Sequence, residues 1–298
     1  MKRWRIVLGI FPIIFLILLL PSPVASQLDK NPLIAPGATL ERIARGFGFL
    51  EGPTVDVDGT LYFSDVTNER IHRWTPTSGT SIFIEKSGQA NGLYFDLDGQ
   101  LLICEMGNRR VTARDEQNSV VVLADELDGQ QFNSPNDLWV SPRGGIYFTD
   151  PWYGPKENNV LIGEDVYYIS PDRTEIKRVA DDLIRPNGII GTPDGWQLYI
   201  ADHGAGRTYV YTTNTDGSLT NKRLFAAQGS DGMTIDEKGN LYLTGQNVTI
   251  YNPEGKLLGS IAVPEAPANL TFGGSESRTL FITARTSLYS LEMNVSGK

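Results

Sequence analysis

The sequence predicts an all-β fold, a six-bladed β-propeller of four-stranded blades, and three observations predict it. One phrase recurs six times, beginning at Glu51, Asn91, Asn136, Asn187, Asp231 and Asn269. The starts lie 38 to 51 residues apart, the range in which four short strands make one propeller blade. Each phrase also reads as a hairpin. An alternating apolar run leads into a turn such as Asp58-Gly59 or Lys238-Gly239-Asn240, and a second run such as Leu61-Tyr62-Phe63 or Leu198-Tyr199-Ile200 follows.

The first 26 residues stand apart from this pattern. Lys2, Arg3 and Arg5 form a basic start, Ile6 to Leu20 an apolar stretch, and Val24-Ala25-Ser26 places small residues before a cleavage point at Gln27. Residues 1–26 therefore read as a signal peptide, which places the mature chain in the periplasm or outside the cell. The apolar stretch is shorter than the ~20 residues of a membrane span, so no stable membrane association is expected after cleavage. Residues 27–298 are expected to form a single propeller domain.

In the first repeat the strands are expected at Gly52–Val57, Leu61–Val66, Arg70–Thr75 and Ser81–Glu85. The last repeat supplies only three, near Asn269–Phe272, Thr279–Ile282 and Ser287–Met293. Its fourth is expected from Thr39–Arg45, ahead of the first repeat. That closure would join the two ends of the chain in one blade and cover otherwise open edges. An open solenoid is the competing architecture, but no polar capping repeat is present.

The formal net charge is −9, and Lys and Arg are scattered, so a nucleic-acid partner is not expected. Cys104 is the only cysteine. It excludes an intrachain disulfide and a C-x-x-C site, and its place in the second strand of the second repeat suits a small buried hydrophobe.

The first residues of the repeats all carry a side-chain oxygen, and equivalent blades would bring them to one depth around the central axis. Calcium and similar hard cations take oxygen ligands from carboxylates, amides and water. Glu51, Asn136, Asn187 and Asp231 fit that chemistry. Zinc is disfavoured because His72, His203 and Cys104 are the only soft ligands. Asn and Asp also cap turns routinely. Six in register, one of them a Glu, favour the cation-binding reading.

A second periodic feature is the acid that ends the second run of four repeats: Asp65, Glu105, Asp150 and Asp202. Arg70, Arg110 and Arg207 follow three of them by five residues, which predicts salt bridges bracing the hairpins. Asp150 lacks such a partner and precedes Pro151-Trp152-Tyr153. It either lines a pocket or caps the turn that Pro151 begins.

The phrases LEGPTVDVDGTLYFSD, ANGLYFDLDGQLLICE, SPNDLWVSPRGGIYFTDPWYG, RPNGIIGTPDGWQLYIADHG, DGMTIDEKGNLYLTG and ANLTFGGSESRTLFITARTSLY resemble the SMP-30/gluconolactonase/LRE-like family of six-bladed propeller lactonases. The resemblance runs from about residue 40 to 292. It implies a divalent ion, usually calcium with Mg2+ or Mn2+ as alternatives, held by Glu51, Asn136, Asn187 and Asp231 at the top of the channel. It also makes Asp231 the candidate general base, with Asp150 an open alternative. One departure is Ala201-Asp202-His203-Gly204, where the family's commonest form has Thr in place of His203.

The reaction so implied is hydrolysis of a small-molecule lactone, with the ion acting as Lewis acid and a carboxylate activating water. Asn91, Asp150, Trp152 and Tyr153 are expected at the substrate, with Met106 as a further wall. A Ser-His-Asp mechanism is disfavoured by the lack of a G-x-S-x-G elbow. A phosphotriesterase at the same ion and a non-catalytic binding propeller are the competing functions.

Overall fold

In the computed structural model, the described residues are Met1, 31–115, 117, 119–153, 161 and 163–297. The signal peptide expected at residues 1–26 lies outside them, Met1 excepted. They form a six-bladed β-propeller. Blade 1 comprises Leu50–Val55, Leu61–Asp65, Arg70–Thr75 and Gly79–Glu85, and blade 2 Ala90–Phe95, Leu101–Glu105, Arg110–Arg114 and Val120–Ala124. Blade 3 is built from Leu138–Val140, Ile146–Asp150, Asp165–Ile169 and Ile176–Ala180, and blade 4 from Pro186–Gly191, Gln197–Asp202, Arg207–Thr213 and Leu219–Ala226. Blade 5 has Met233–Ile235, Leu241–Leu243, Val248–Tyr251 and Leu257–Ile261. In blade 6, Pro267–Gly273, Thr279–Ala284 and Ser287–Glu292 are completed by Glu41–Arg45.

The closing strand pairs antiparallel with Ser287–Glu292, Glu41 opposite Ser290 and Arg45 opposite Ser287. Each inner strand packs on those of the two neighbouring blades, blade 6 on blade 1 included, so the ring is closed. Hydrophobic clusters fill the wedges between blades. One joins Trp139 and Tyr147 of blade 3 to Ile189 and Tyr199 of blade 4 and Met233 of blade 5. Cys104 is buried among Leu102, Val111 and Phe148, and burial pushes its thiol well above the usual range, as suits a small core residue.

The hairpin turns far from the inner-strand starts are built by their own acids. Asp56 Oδ1 accepts the N–H groups of Asp58 and Thr60, and Asp96 and Asp236 repeat the arrangement two and four residues on.

The acids that end the second strands behave differently from the salt bridges expected. Glu105 does meet Arg110, at 2.8 Å. Asp65 and Asp202 face Arg70 and Arg207 across the strands, yet no ion pair forms in either case. Their oxygens go instead to backbone N–H groups leading into the inner strand: Gly48 and Phe49 for Asp65, Ile184 for Asp202. Backbone donors sit in fixed geometry, and on Asp65 the Asn68 amide at 2.8 Å and His72 Nε2 at 3.9 Å join them, so these neighbours win over a flexible, solvated Arg.

At the axis the inner strands approach so closely that a side chain is excluded. A Cβ on Gly92 would lie 2.6 Å from Asp137 Oδ1 and 2.7 Å from the Asn136 carbonyl oxygen, and one on Gly188 2.5 Å from the Asp231 carbonyl oxygen. Gly52 and Gly232 face Asn91 and Asn269 even more tightly. Each glycine follows the oxygen-bearing residue of one blade and packs on the oxygen-bearing residue of the next.

Two outcomes are predicted. Gly52→Ala, which meets the Asn91 backbone rather than a movable side chain, should cost about 3 kcal/mol or more in denaturant unfolding; a loss under ~0.5 kcal/mol would show the axis to be looser. Removing residues 1–45 should lower the thermal midpoint of the whole domain by about 10 °C or more, because blade 6 loses its outer strand. An unchanged midpoint would mean that the closure contributes nothing.

Candidate active site

The starts of the inner strands carry Glu51, Asn91, Asn187 and Asn269, while Asn136 and Asp231 lie two residues ahead of theirs. In blades 1, 2, 4 and 6 the register with the second strand slips at this point, between Glu51 and Thr54, Ala90 and Leu93, Pro186 and Ile189, and Pro267 and Asn269. Such a bulge re-aims a side chain out of the ladder. Here it lets the oxygen-bearing residue depart from the sheet as the strand begins.

Glu51, Asn187 and Asp231 come together. Asn187 Nδ2 donates to Asp231 Oδ1 at 2.7 Å and to the Tyr153 hydroxyl at 2.8 Å. Both amide protons are therefore engaged, which leaves the Asn187 carbonyl oxygen for a third partner. Glu51 is 3% exposed and accepts the Gly52 N–H at 3.2 Å. Its carboxyl is raised well above the ordinary range, first by burial and then by the charges of Asp231 and Asp137. Asp231 is raised too, chiefly by burial, while His203, the Asn187 bond and Arg285 pull it down. Asn136 is buried beside them in sequence register, its backbone oxygen accepting the Gly92 N–H at 2.7 Å.

Asp137 belongs to this group and was missed in the sequence. It accepts the Leu138 N–H at 2.9 Å and the Asn269 Nδ2 at 3.3 Å, and burial pushes it up to about 7. Blades 3 and 6 are opposite each other, so the Asp137–Asn269 bond crosses the axis. Asn269 also donates toward Glu51, and its own oxygen takes the Leu270 N–H at 2.8 Å, which makes it a donor to the acids. Gly52, Asp137 and Asn269 line a small cavity of about 60 Å³ along the axis. The signal for Asp137 was available: it stands where four of the other repeats have glycine.

The substrate residues expected from sequence divide. Tyr153 is held at the site by Asn187, with the Arg185 guanidinium 5.6 Å above its ring. Trp152 stands beside it, its backbone N–H donating to Glu164 Oε1 at 2.7 Å and its ring 5.5 Å from the Arg109 guanidinium. Asn91 turns its amide to Met106 Sδ, 3.6 Å away. Asp150 requires correction. It is fully buried, and its two oxygens accept the N–H groups of Asn133 at 2.8 Å and Ser134 at 2.7 Å. Burial pushes it up to about 8 against those bonds. It braces the segment leading to Asn136 as Asp65 does for Glu51, so it is neither a pocket wall nor a base with a free oxygen. The long spacing from Asn136 to Asn187 falls between Asp150 and Asp165, a stretch that begins with Pro151, Trp152 and Tyr153.

Beside Asp231 a cavity of about 450 Å³ opens between Phe49, His203, Ser230, Pro267 and Arg285. His203 Nδ1 lies 3.3 Å from the Ser230 carbonyl oxygen, to which it donates. The other histidine, His72, is buried against Phe47 and Phe63 and takes no part.

The donors fit a hard divalent cation. Among the described residues no Lys, Arg or His nitrogen lies within 4.0 Å of the Glu51, Asp137 or Asp231 carboxylates, so their buried charge has no protein counter-ion in contact. Among the described residues there is also no cluster of three or more His, Cys, Asp or Glu suited to a metal. The set would rest on Glu51, Asp231 and the amide oxygens of Asn136 and Asn187, with water, which is calcium-like chemistry and not zinc-like.

A model of the SMP-30/Gluconolactonase/LRE-like region matches residues 49–286. The chain is 33% identical over 282 residues to a gluconolactonase of Zymomonas mobilis, covering 82% of this chain and 78% of that protein. It is 26% identical over 232 residues to the lactonase drp35 of Staphylococcus aureus, covering 72% and 70%. The solved gluconolactonase of Xanthomonas campestris superposes with a TM-score of 0.81 at 29% identity, over 88% of this chain and 95% of that one. The chain belongs to the SMP-30/gluconolactonase/LRE-like family.

Proposed function

We propose that the protein is a divalent-cation-dependent hydrolase that opens the ring of a small-molecule lactone, with calcium as the cation. The observation that carries this reading is the pair of buried carboxylates, Glu51 and Asp231, set without a contacting counter-ion beside the Asn187 amide and an open cavity. Membership of a family whose similar members are named gluconolactonase and lactonase supports it. The basic, apolar and small-residue start at residues 1–26 supports export as part of the same reading.

Glu51, Asn136, Asn187 and Asp231 would hold the cation, which when bound supplies Lewis-acid polarisation of the lactone carbonyl. The remaining work falls to the chain. Asn187 fixes Asp231 through Oδ1, so Oδ2 is the atom left to take the proton of the attacking water. As the water oxygen bonds to the carbonyl carbon and the ring C–O bond breaks, that proton passes to the departing ring oxygen, giving the open hydroxy acid. Tyr153 and Trp152 offer apolar faces to the sugar-sized ring, and Tyr153 is held there through Asn187.

Exhaustive chelation is predicted to abolish hydrolysis of a hexonolactone, and calcium to restore it better than zinc. Full turnover in chelator would sink the metal-dependent reading. Stability offers an independent check. A carboxyl whose folded pKa is raised opposes folding at pH above its unfolded value, so Glu51→Gln should raise stability in chelator at neutral pH by roughly 1–3 kcal/mol. Millimolar calcium should then raise the thermal midpoint of the unsubstituted protein and leave that of the variant nearly unchanged. An equal calcium shift in both would remove Glu51 from the ligand set.

A further inference from the structure

The cavity beside Asp231 contains positive charge that ring opening does not require. Arg285 follows Ala284 at the end of the second strand of blade 6, in a left-handed backbone conformation with φ of 48°. Its guanidinium lies 5.8 Å from the Phe49 ring centroid and faces the cavity. Two other arginines stack on aromatic rings around the site, and both have polar partners: Arg109 donates to the Asn133 carbonyl oxygen at 2.6 Å, and Arg185 reaches Glu164 at 4.0 Å. Among the described residues the Arg285 guanidinium has neither a hydrogen bond nor an ion pair. Arg285 is exposed and lines the same cavity as Asp231, so its guanidinium is free to meet an anionic ligand there.

A second basic side chain lines the same cavity from another blade. His203 spends Nδ1 on the Ser230 carbonyl oxygen, which orients the ring and leaves Nε2 facing a ligand, as an N–H donor to an anion when the ring is the imidazolium. Both groups reach Asp231 electrostatically, so all three share one field. The volume, about 450 Å³, suits a six-carbon acid. A neutral sugar lactone would offer Arg285 only hydroxyls. A carboxylate or phosphate would match its planar fork with two parallel charge-assisted bonds.

We propose that this cavity is an anion subsite, in which Arg285 and His203 recognise a carboxylate or phosphate carried by the lactone substrate on a carbon remote from the ring carbonyl. The inference rests on the lactonase reading above and narrows it to acidic lactones. Arg285 acts as the main specificity determinant and His203 as the second contact.

The test uses the full chain in calcium-containing buffer with three substrates: a neutral hexonolactone, the same lactone with a terminal carboxylate, and its terminal phosphate ester. The unsubstituted protein should favour at least one acidic lactone by about tenfold or more in kcat/KM. Arg285→Gln should lose about 10- to 100-fold on the acidic lactone and less than about threefold on the neutral one, with Arg285→Lys in between. The better of the two acidic substrates identifies the natural anion. Equal turnover of neutral and acidic lactones, or an Arg285→Gln variant that slows all three alike, overturns the subsite and leaves the lactonase reading standing. If no lactone is opened, the lactonase reading fails and calorimetry decides the subsite. An open-chain hexarate should bind about tenfold or more tightly than the matching hexonate, an advantage that Arg285→Gln removes. Equal affinities would overturn it.

Discussion

Close approach of the inner strands at the propeller axis is the constraint on which the rest of the molecule depends. A six-fold ring brings six strand starts into one small space, and the first residue of each can point into it only if the second gives way. Glycine gives way in blades 1, 2, 4 and 5, where Gly52, Gly92, Gly188 and Gly232 lie against the next blade's polar residue with no room for a Cβ. The site is thus a by-product of closure. The contacts that seal the ring are the same contacts that gather its oxygens.

That geometry sets the electrostatics. Glu51, Asp137 and Asp231 are drawn together out of water with no contacting counter-ion among the described residues, and each is raised above the ordinary carboxylate range, with burial the largest cause. Folding tolerates such a cluster because stability is supplied elsewhere, in the wedges between blades and in the braced strand ends. Asp65, Asp150 and Asp202 tie the segment preceding each site residue to the second strand through backbone N–H groups, so the site is held by rigid elements. A cation that neutralises the cluster would turn a locally unfavourable arrangement into a favourable one. Around the rim the field changes sign: Arg285 and His203 stand beside Asp231 in the adjoining cavity.

Much of this was legible before any coordinates. Period, hairpin form and the missing last strand gave the six blades and their closure, because strand alternation and D-G turns are local signals. The residue set Glu51, Asn187, Asp231 was legible because all three occupy one register. What escaped was non-local. The glycine after each oxygen-bearing residue reads as a turn former in sequence and serves interblade contact in space. Asp137 fills that glycine slot in blade 3, a departure visible in the repeat but meaningful only once blade 6 is seen across the axis. The Asp65–Arg70 and Asp202–Arg207 pairings satisfied strand register and still lost to backbone donors. Asp150 followed the same rule and so left the pocket, while Arg285, an ordinary residue in its phrase, gained its interest from the cavity it lines together with His203.

The central claim, that the oxygen ring is a hard-cation site, is tested most directly by locating the ion. Crystals of the full-length protein grown with manganese, measured for anomalous scattering, should show a main peak bounded by Glu51, Asn136, Asn187 and Asp231, with oxygen distances in the range about 2.0–2.6 Å. No peak among these residues, at a concentration where the metal shifts the thermal midpoint, would contradict the account.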